Sequence, residues 1–327
     1  MARPDPPAMQ NTRSARPVVG VVYNPRSHRN RGQDLEISAR ENVHFAQPGR
    51  HEDIRPMLAD FAARGVEYLI INGGDGTVRD VLTCGMAVFG DDWPALAVLP
   101  KGKTNALNVD LGAPQGWNLA DAVAAYASGR RVLRRPVLVT PLSGGAGPLA
   151  GFILGAAGFT LGIRTGQDAH KLGAFDSMAV ALSAVWGVMQ ALFGSDGNIW
   201  RRGSEMEILI GQDRVPLAHS GDGYDGRRSV MLASTLEKFP VGLKLFGQHR
   251  EGLKLVAMDR PRRRVLASLP KILFVGPGEN TAARGFHQVA TESFDFAIED
   301  DFILDGEAFP GGRYRVESGP ELRFVVP

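Results

Sequence analysis

Asn72-Gly73-Gly74-Asp75-Gly76-Thr77 is a run in which three glycines flank one acid. Glycine lets a backbone come close to a phosphate and reach φ > 0 where the path requires it. The apolar run Val66–Ile71 (VEYLII) precedes it and reads as a buried strand. From Thr77 to Phe89, the spacing of Val78, Val81, Leu82 and Met86 reads as a helix. A glycine loop that opens a helix offers an anion unpaired N–H groups and a partial positive charge. Asp75 puts a carboxylate at that point. It would repel a bare phosphate, so it calls for Mg²⁺ or an ordered water between the two. Thr77 can cap the helix or bond a phosphate oxygen. An ordinary strand–turn–helix junction needs one glycine, and three around an acid point to phosphate chemistry.

A second stretch, LPKGKTNALN at 99–108, ends like the phosphate cradle of many nucleotide hydrolases. That motif requires G-x-x-x-x-G-K-[ST]. Five residues before Gly102 stands Ala97, not glycine, and Ala97-Val98-Leu99 are needed by a strand. Pro100 has no N–H to give to a phosphate nest. The stretch is therefore not that cradle. Near the C-terminus, Leu304-Asp305-Gly306-Glu307 reads as a tight turn between two strands, because Asp-Gly is a strong hairpin signal. A turn and a catalytic carboxylate are compatible at one position. His170, beside Lys171 near the domain junction, reads as a structural residue, and the other six histidines show no metal-ligand spacing. No serine or cysteine sits in a nucleophile elbow.

The elements that must position these residues fall into two groups. Val18–Tyr23 (VVGVVY), Asn42–Ala46, Val66–Ile71 and Leu96–Leu99 read as strands. Asp53–Arg64, Thr77–Phe89 and Leu119–Ala127 read as helices. Strands alternate with helices over short links, the pattern of a doubly wound α/β domain with a mostly parallel sheet. After Thr140 comes a Gly/Pro-rich linker, PLSGGAGP. From Glu205 onward short alternating segments dominate: EMEILI, SVMLAST, LKLVAM, QVAT, SFDFAIE, RYRVE and ELRFVV. These imply a β-rich sandwich domain. The division expected is a tail over 1–16, an α/β domain over 17–140 and a β-rich domain over 141–327, with the last strand free to return to the first domain. The uncharged stretch within Asp176–Phe193 reads as a core-packed helix, with a helix lying on a membrane surface as the alternative.

With 327 residues, 44% of them hydrophobic and 22% charged, the chain can bury cores for two domains. A net charge of +2 argues against a dedicated nucleic-acid binder. Arginines cluster at 130, 131, 134 and 135 and again at 260, 262, 263 and 264. They read as a solvated face, with an anionic membrane as the alternative partner. Cys84 is the single cysteine, so no intrachain disulfide forms, which fits a reducing compartment. MARPDPPAMQNTRSARP has no apolar core and does not read as a secretory signal.

Four stretches, in order along the chain, resemble the diacylglycerol kinase catalytic domain shared by bacterial lipid kinases, sphingosine kinases and ceramide kinases. The first strand with Asn24-Pro25-Arg26-Ser27 resembles that family's first nucleotide loop. Asn72–Val81 (NGGDGTVRDV) resembles its main signature. Pro100–Asn105 (PKGKTN) stands where the family has P-x-G-T-x-N, and LDGE at 304–307 resembles its late motif. Gly155–Lys171 is similar to the family's glycine-rich entry into its second domain. GGDGT alone is shared with NAD kinases and phosphofructokinase relatives; the four together are specific. The resemblance implies a cytoplasmic lipid kinase, peripheral at the inner membrane surface, with ATP and Mg²⁺ as cofactors. It implies nucleotide contacts at Asn24, Pro25, Arg26, Ser27, Gly73, Gly74, Asp75, Gly76, Thr77, Gly102, Lys103, Thr104 and Asn105. It implies Asp75 as the metal partner and Asp305, with Glu307 and Asp75, as the catalytic carboxylates. The partners implied are ATP, a lipid alcohol and a transient membrane surface. A homodimer is permitted and no nucleic acid is expected. The chain departs from the family at His28, usually Gly, at Arg79-Asp80, usually Asn-Glu, and at Ala106, often Asp. Two other readings stand beside this one: an NAD kinase, and a non-catalytic lipid-binding protein that kept the fold.

Overall fold

The structure is a computed structural model that describes residues 16–30, 41–158, 160, 203–220, 226–239, 242, 244–259, 271 and 282–327. The stretch Asp176–Phe193, His170, Lys171 and the arginines at 260–264 lie outside the described residues.

The first sheet begins with β1 (Val19–Tyr23), β2 (Val43–Ala46), β3 (Tyr68–Gly73), β4 (Ala95–Pro100) and β5 (Arg130–Arg134). Helices α1 (Ile54–Ala63), α2 (Asp75–Phe89), α3 (Ala106–Leu111) and α4 (Leu119–Ser128) connect them. β2, β1, β3 and β4 lie side by side and parallel. The apolar runs are continuous because both faces are covered. Along β3, Leu69 and Ile71 pack with Leu58, Phe61, Val78 and Leu82 of α1 and α2. Tyr68 and Ile70 pack on the other face with Leu119, Ala122 and Ala125 of α4. All four β3 side chains have no exposed surface, and each such burial contributes about 1.5–3 kcal/mol.

The second sheet comprises β6 (Val137–Pro141), β7 (Leu149–Gly151), β8 (Ile153–Ala157), β9 (Ser204–Ile210), β10 (Val215–Pro216), β11 (Arg227–Ser234), β12 (Leu253–Asp259), β13 (Phe286–Thr291), β14 (Ser293–Ile298), β15 (Phe302–Leu304), β16 (Glu307–Phe309) and β17 (Gly312–Ser318). Its neighbours are antiparallel, in the order β16-β15-β8-β11-β9-β14-β17-β6-β7, with β12 and β13 extending from β11 and β10 from β9. Its interior is built by alternating residues such as Leu154, Ala156, Met231, Ala233, Phe294, Phe296, Phe302 and Val316. The α/β domain with a parallel sheet, followed by an antiparallel β-rich domain, is the architecture read from the sequence.

Three local features differ from the sequence expectations. α2 starts at Asp75 rather than Thr77, which places the acid in its first turn. α3 is unforeseen, because six residues are too few to show a period. PLSGGAGP is not a spacer between domains: 142–148 is the connection of the β6–β7 hairpin, whose strands pair Val137 with Gly151. The final strand, β18 (Leu322–Val326), lies in the first sheet between β4 and β5, parallel to the first and antiparallel to the second.

The basic strand β5 is also only partly a solvated face. Arg131 lies over the Tyr126 ring at 5.2 Å. Arg134 pairs with the buried Asp110 at 2.6 Å and with Glu237 at 3.0 Å. One apolar cluster runs from α1, α2 and the first sheet into Ala150, Phe152, Leu232 and Val256 of the second. α2 is therefore packed between the two sheets, and its N-terminus opens at their junction.

Candidate active site

At that junction lies a cleft of about 500 Å³, lined by Asn24, Arg26, Ser27, His28, Gly74, Asp75, Gly76, Thr77, Arg79, Asp80, Gly102, Lys103, Thr104 and Asp305. Three loops that end β1, β3 and β4 thus meet a turn from the second sheet. Such a position, beyond the carboxyl ends of parallel strands, is where open α/β sheets bind ligands.

The loops are tied to one another. The Asn24 side chain donates to the Thr77 hydroxyl at 2.8 Å and accepts from the Arg26 N–H at 3.0 Å. This joins the first loop to the glycine loop. Asn105 closes the third loop: its side chain accepts from Gly102 N–H at 2.7 Å and donates to the Gly102 carbonyl at 2.9 Å. Asn105 itself is buried and has a left-handed backbone, φ 50°. It shapes the loop and does not line the cleft. Pro25 is exposed outside it, and Gly73 is the buried end of β3.

Gly73, Gly74 and Gly76 are not needed for positive φ, since none of them has it. The reason for Gly74 is close approach: a Cβ there would stand 2.7 Å from the Gly102 Cα. The second and third loops meet backbone to backbone, and only glycine on both sides permits it.

The Asp75 carboxylate accepts the N–H groups of Ala106, Asn105 and Leu107, the free donors that open α3. Burial nevertheless pushes its carboxyl up. Ala106 takes part through its N–H, so the missing side-chain acid of the family pattern leaves this contact intact.

Asp305 occupies the first position of a two-residue turn between β15 and β16, where Leu304 pairs with Glu307. Asp305 and Gly306 have φ 46° and 85°, the doubly positive backbone that Asp-Gly hairpins adopt. The Asp305 carboxylate accepts from Ile153 N–H at 2.8 Å and from Phe152 N–H at 3.0 Å. Burial first, and the Asp75 charge second, push the Asp305 carboxyl up to about 7. The N–H groups of Ile153 and Phe152 and the Arg79 charge pull the other way. Two carboxylates therefore repel across a cleft whose other loops carry Arg26 and Lys103. Glu307 is exposed and does not line the cleft; its carboxylate lies 3.7 Å from Arg79 Nη1.

Arg79, Asp80 and His28 line the cleft, and the Phe152 and Ile153 amides hold Asp305, without any motif in the sequence marking them for it. Arg79 had a detectable signal. It stands three residues before Leu82 and seven before Met86, a charge on the apolar stripe of α2.

Residues 18–134 match the family model of the diacylglycerol kinase catalytic domain. That segment contains all three loops of the cleft but not Asp305. Among curated relatives, the Probable lipid kinase YegS of Shigella flexneri is 32% identical over 78 residues, 24% of this chain and 26% of that protein. The protein of the same name from Escherichia coli strain K12 / DH10B is 41% identical over 56 residues, 17% of this chain and 19% of that protein. The matches thus span about a quarter or a fifth of those relatives. Among solved structures, a diacylglycerol kinase from Bacillus anthracis str. Sterne superposes with a TM-score of 0.64 at 16% identity, covering 96% of this chain and 99% of that one. The likeness extends the shared fold through the second sheet, beyond the segment matched by sequence.

Proposed function

We propose that this chain is an ATP-dependent kinase that transfers the γ-phosphoryl group to the hydroxyl of a lipid alcohol. One observation carries the reading: the turn that bears Asp305, far downstream in sequence, completes the cleft formed by the three loops of the diacylglycerol kinase-type domain. Phosphoryl transfer asks a protein for in-line positioning, charge neutralisation and a destination for the hydroxyl proton. The first turn of α2, the Thr77 and Thr104 hydroxyls and the Arg26 and Lys103 cations suit the phosphates. Asp305 suits the proton: a carboxylate that ionises near 7 is matched to general-base work at neutral pH. Asp75 holds α3 against α2 and keeps a negative charge opposite Asp305. Glu307 supports the turn from outside the cleft.

Mg²⁺ fits this arrangement. Among the described residues no group of three His, Cys, Asp or Glu side chains could hold a metal ion unaided. One carboxylate, Asp75, beside a phosphate cleft suits an ion that arrives on the nucleotide and keeps most of its waters. Asp75 would be its protein partner, and it would screen the phosphate charge.

A lipid acceptor is supported by the names of the relatives. The working site would then be the cytoplasmic face of a membrane, visited rather than crossed. Among the described residues no helix is long and apolar enough to cross a bilayer. The nucleotide would sit on the first-sheet side of the cleft and the acceptor on the second-sheet side.

The test is transfer of label from [γ-³²P]ATP and Mg²⁺ into diacylglycerol, a sphingoid base, ceramide and phosphatidylglycerol in mixed micelles, with NAD in a parallel tube. Label in a lipid, lost in Asp75→Ala and Asp305→Asn, is the expected result. Label in NAD alone would replace the lipid by a polar acceptor. No label in any tube, with ATP shown to bind, would overturn the transfer reading.

A further inference from the structure

Arg79 stands where the resembling family usually has asparagine, and the structure gives it a task. It is 8% exposed, in the second turn of α2. Its Nη1 lies 3.5 Å from the Leu304 carbonyl and 3.7 Å from Glu307 Oε2. Leu304 and Glu307 are the paired residues on either side of the Asp305-Gly306 turn. The guanidinium also lies 5.8 Å from the centre of the Phe309 ring on β16. Its other edge is fixed on α2 itself, with Nη2 donating to Asp80 Oδ1 at 2.6 Å and Nε to the same oxygen at 3.0 Å. One planar cation therefore fastens the helix of the glycine loop to the turn of the second sheet. Lysine could supply the charge but not this fork of donors.

Resting on the reading of Asp305 as the proton acceptor, we propose that Arg79 is the positioning residue of the transfer site: it grips both shoulders of the Asp305 turn and so fixes where the Asp305 carboxylate stands relative to Asp75 and the phosphate loops. Two forces act on that carboxylate. The Phe152 and Ile153 amides hold it from β8, and the Asp75 charge pushes against it across the cleft. The turn needs a counterweight on the α2 side, and Arg79 is the cation placed there. The charged and titratable groups facing Asp305 are Asp75, Arg79 and Asp80 from α2, Glu307 from its own hairpin, and Arg26, His28 and Lys103 from the loops across the cleft.

The experiment combines a titration that needs no substrate with a rate measurement. Protein labelled with [4-¹³C]aspartate is titrated by NMR, and the Asp305 resonance is assigned by its loss in Asp305→Asn. Wild type is expected to titrate near 7. Arg79→Gln is expected to raise that midpoint by about half a unit or more, and Arg79→Lys to keep it near the wild-type value, because the shift depends on the nearby charge. Label transfer in Arg79→Gln is expected to fall at least about tenfold in kcat, with KM for ATP within about threefold and partial recovery in Arg79→Lys. A merely structural arginine would move neither the midpoint nor kcat once the remaining aspartate resonances show a folded chain. An unmoved midpoint or an unmoved kcat in Arg79→Gln, with Asp305→Asn inactive, overturns the role of Arg79 and leaves the role of Asp305 standing. Wild-type transfer by Asp305→Asn overturns both.

Discussion

The glycines of NGGDGT are alike in sequence and unlike in the structure, and substitution should separate them. In Gly74→Ala the added Cβ stands 2.7 Å from the Gly102 Cα and 3.3 Å from the Gly102 N. Carbon atoms settle at about 3.5–4.0 Å, so the loops must part by about 1 Å. Both partners are backbone, so no side-chain rotamer can relieve the contact. Overpacking of this kind costs about 1–3 kcal/mol, and about 2 kcal/mol lowers Tm by about 3 °C in a chain of this size. A displacement of about 1 Å between the two phosphate loops also costs about a hundredfold in catalysis. In Gly76→Ala the new Cβ meets only Arg79 Nη2, at 4.0 Å. Gly76 lies inside α2, where alanine is favoured over glycine by about 1 kcal/mol. The prediction is a lowered Tm and weakened binding of a non-hydrolysable ATP analogue for Gly74→Ala, against an unchanged or raised Tm for Gly76→Ala. Differential scanning calorimetry and titration calorimetry read both. Equal losses of Tm in the two variants would refute the close-approach argument, as would wild-type Tm and nucleotide affinity in Gly74→Ala.

Other outcomes follow from the same geometry. With Asp305 ionising near 7, kcat/KM should rise about tenfold per pH unit below that midpoint and level off above it; a flat profile from pH 5 to 8 would remove Asp305 as the base. The same carboxyl bears on stability in the opposite sense. Its folded pKa lies above the ordinary 3.8, so between 3.8 and about 7 the folded chain keeps a proton that the unfolded chain has released. Its contribution therefore becomes less favourable as pH rises through that window. Asp305→Asn should accordingly hold or raise Tm relative to wild type at pH 8, which thermal scans at pH 5 and 8 would check. Asp110 has a buried side chain that accepts from Arg134 at 2.6 Å, Glu237 N–H at 2.8 Å and Lys238 N–H at 2.7 Å. Asp110→Ala removes the buried partner of Arg134, which keeps Glu237, and leaves two N–H donors without their acceptor; it should cost about 1–3 kcal/mol in denaturant unfolding, and a loss below about 0.5 kcal/mol would show that the pair is not structural.

The α/β domain was legible because its strands are buried on both faces and its helices carry apolar stripes, as in β3 and α2. The Asp-Gly turn was legible because few dipeptides tolerate two positive φ values in succession. What the sequence concealed depends on tertiary contact. Gly74 looks like a conformational glycine and is a contact glycine, because its constraint comes from Gly102, which no local pattern reveals. Asn105 looks like a ligand of the nucleotide and is the clasp of its loop. α3 was hidden because its first donors are capped by Asp75, a residue from another element. Arg134 looks like a surface cation until Asp110 is brought beneath it. Arg79 was visible as a charge on an apolar stripe, but its meaning waits on the turn that folds against it.

The most direct test of the account is the single-turnover rate of phosphoryl transfer from [γ-³²P]ATP to the accepted lipid, in wild type and in Asp305→Asn, with ATP saturation confirmed for both. If the cleft works as one unit, Asp305→Asn binds ATP like wild type and its transfer rate falls by about a hundredfold or more, the scale of a lost general base. An Asp305→Asn variant that transfers phosphate at the wild-type rate would contradict the account.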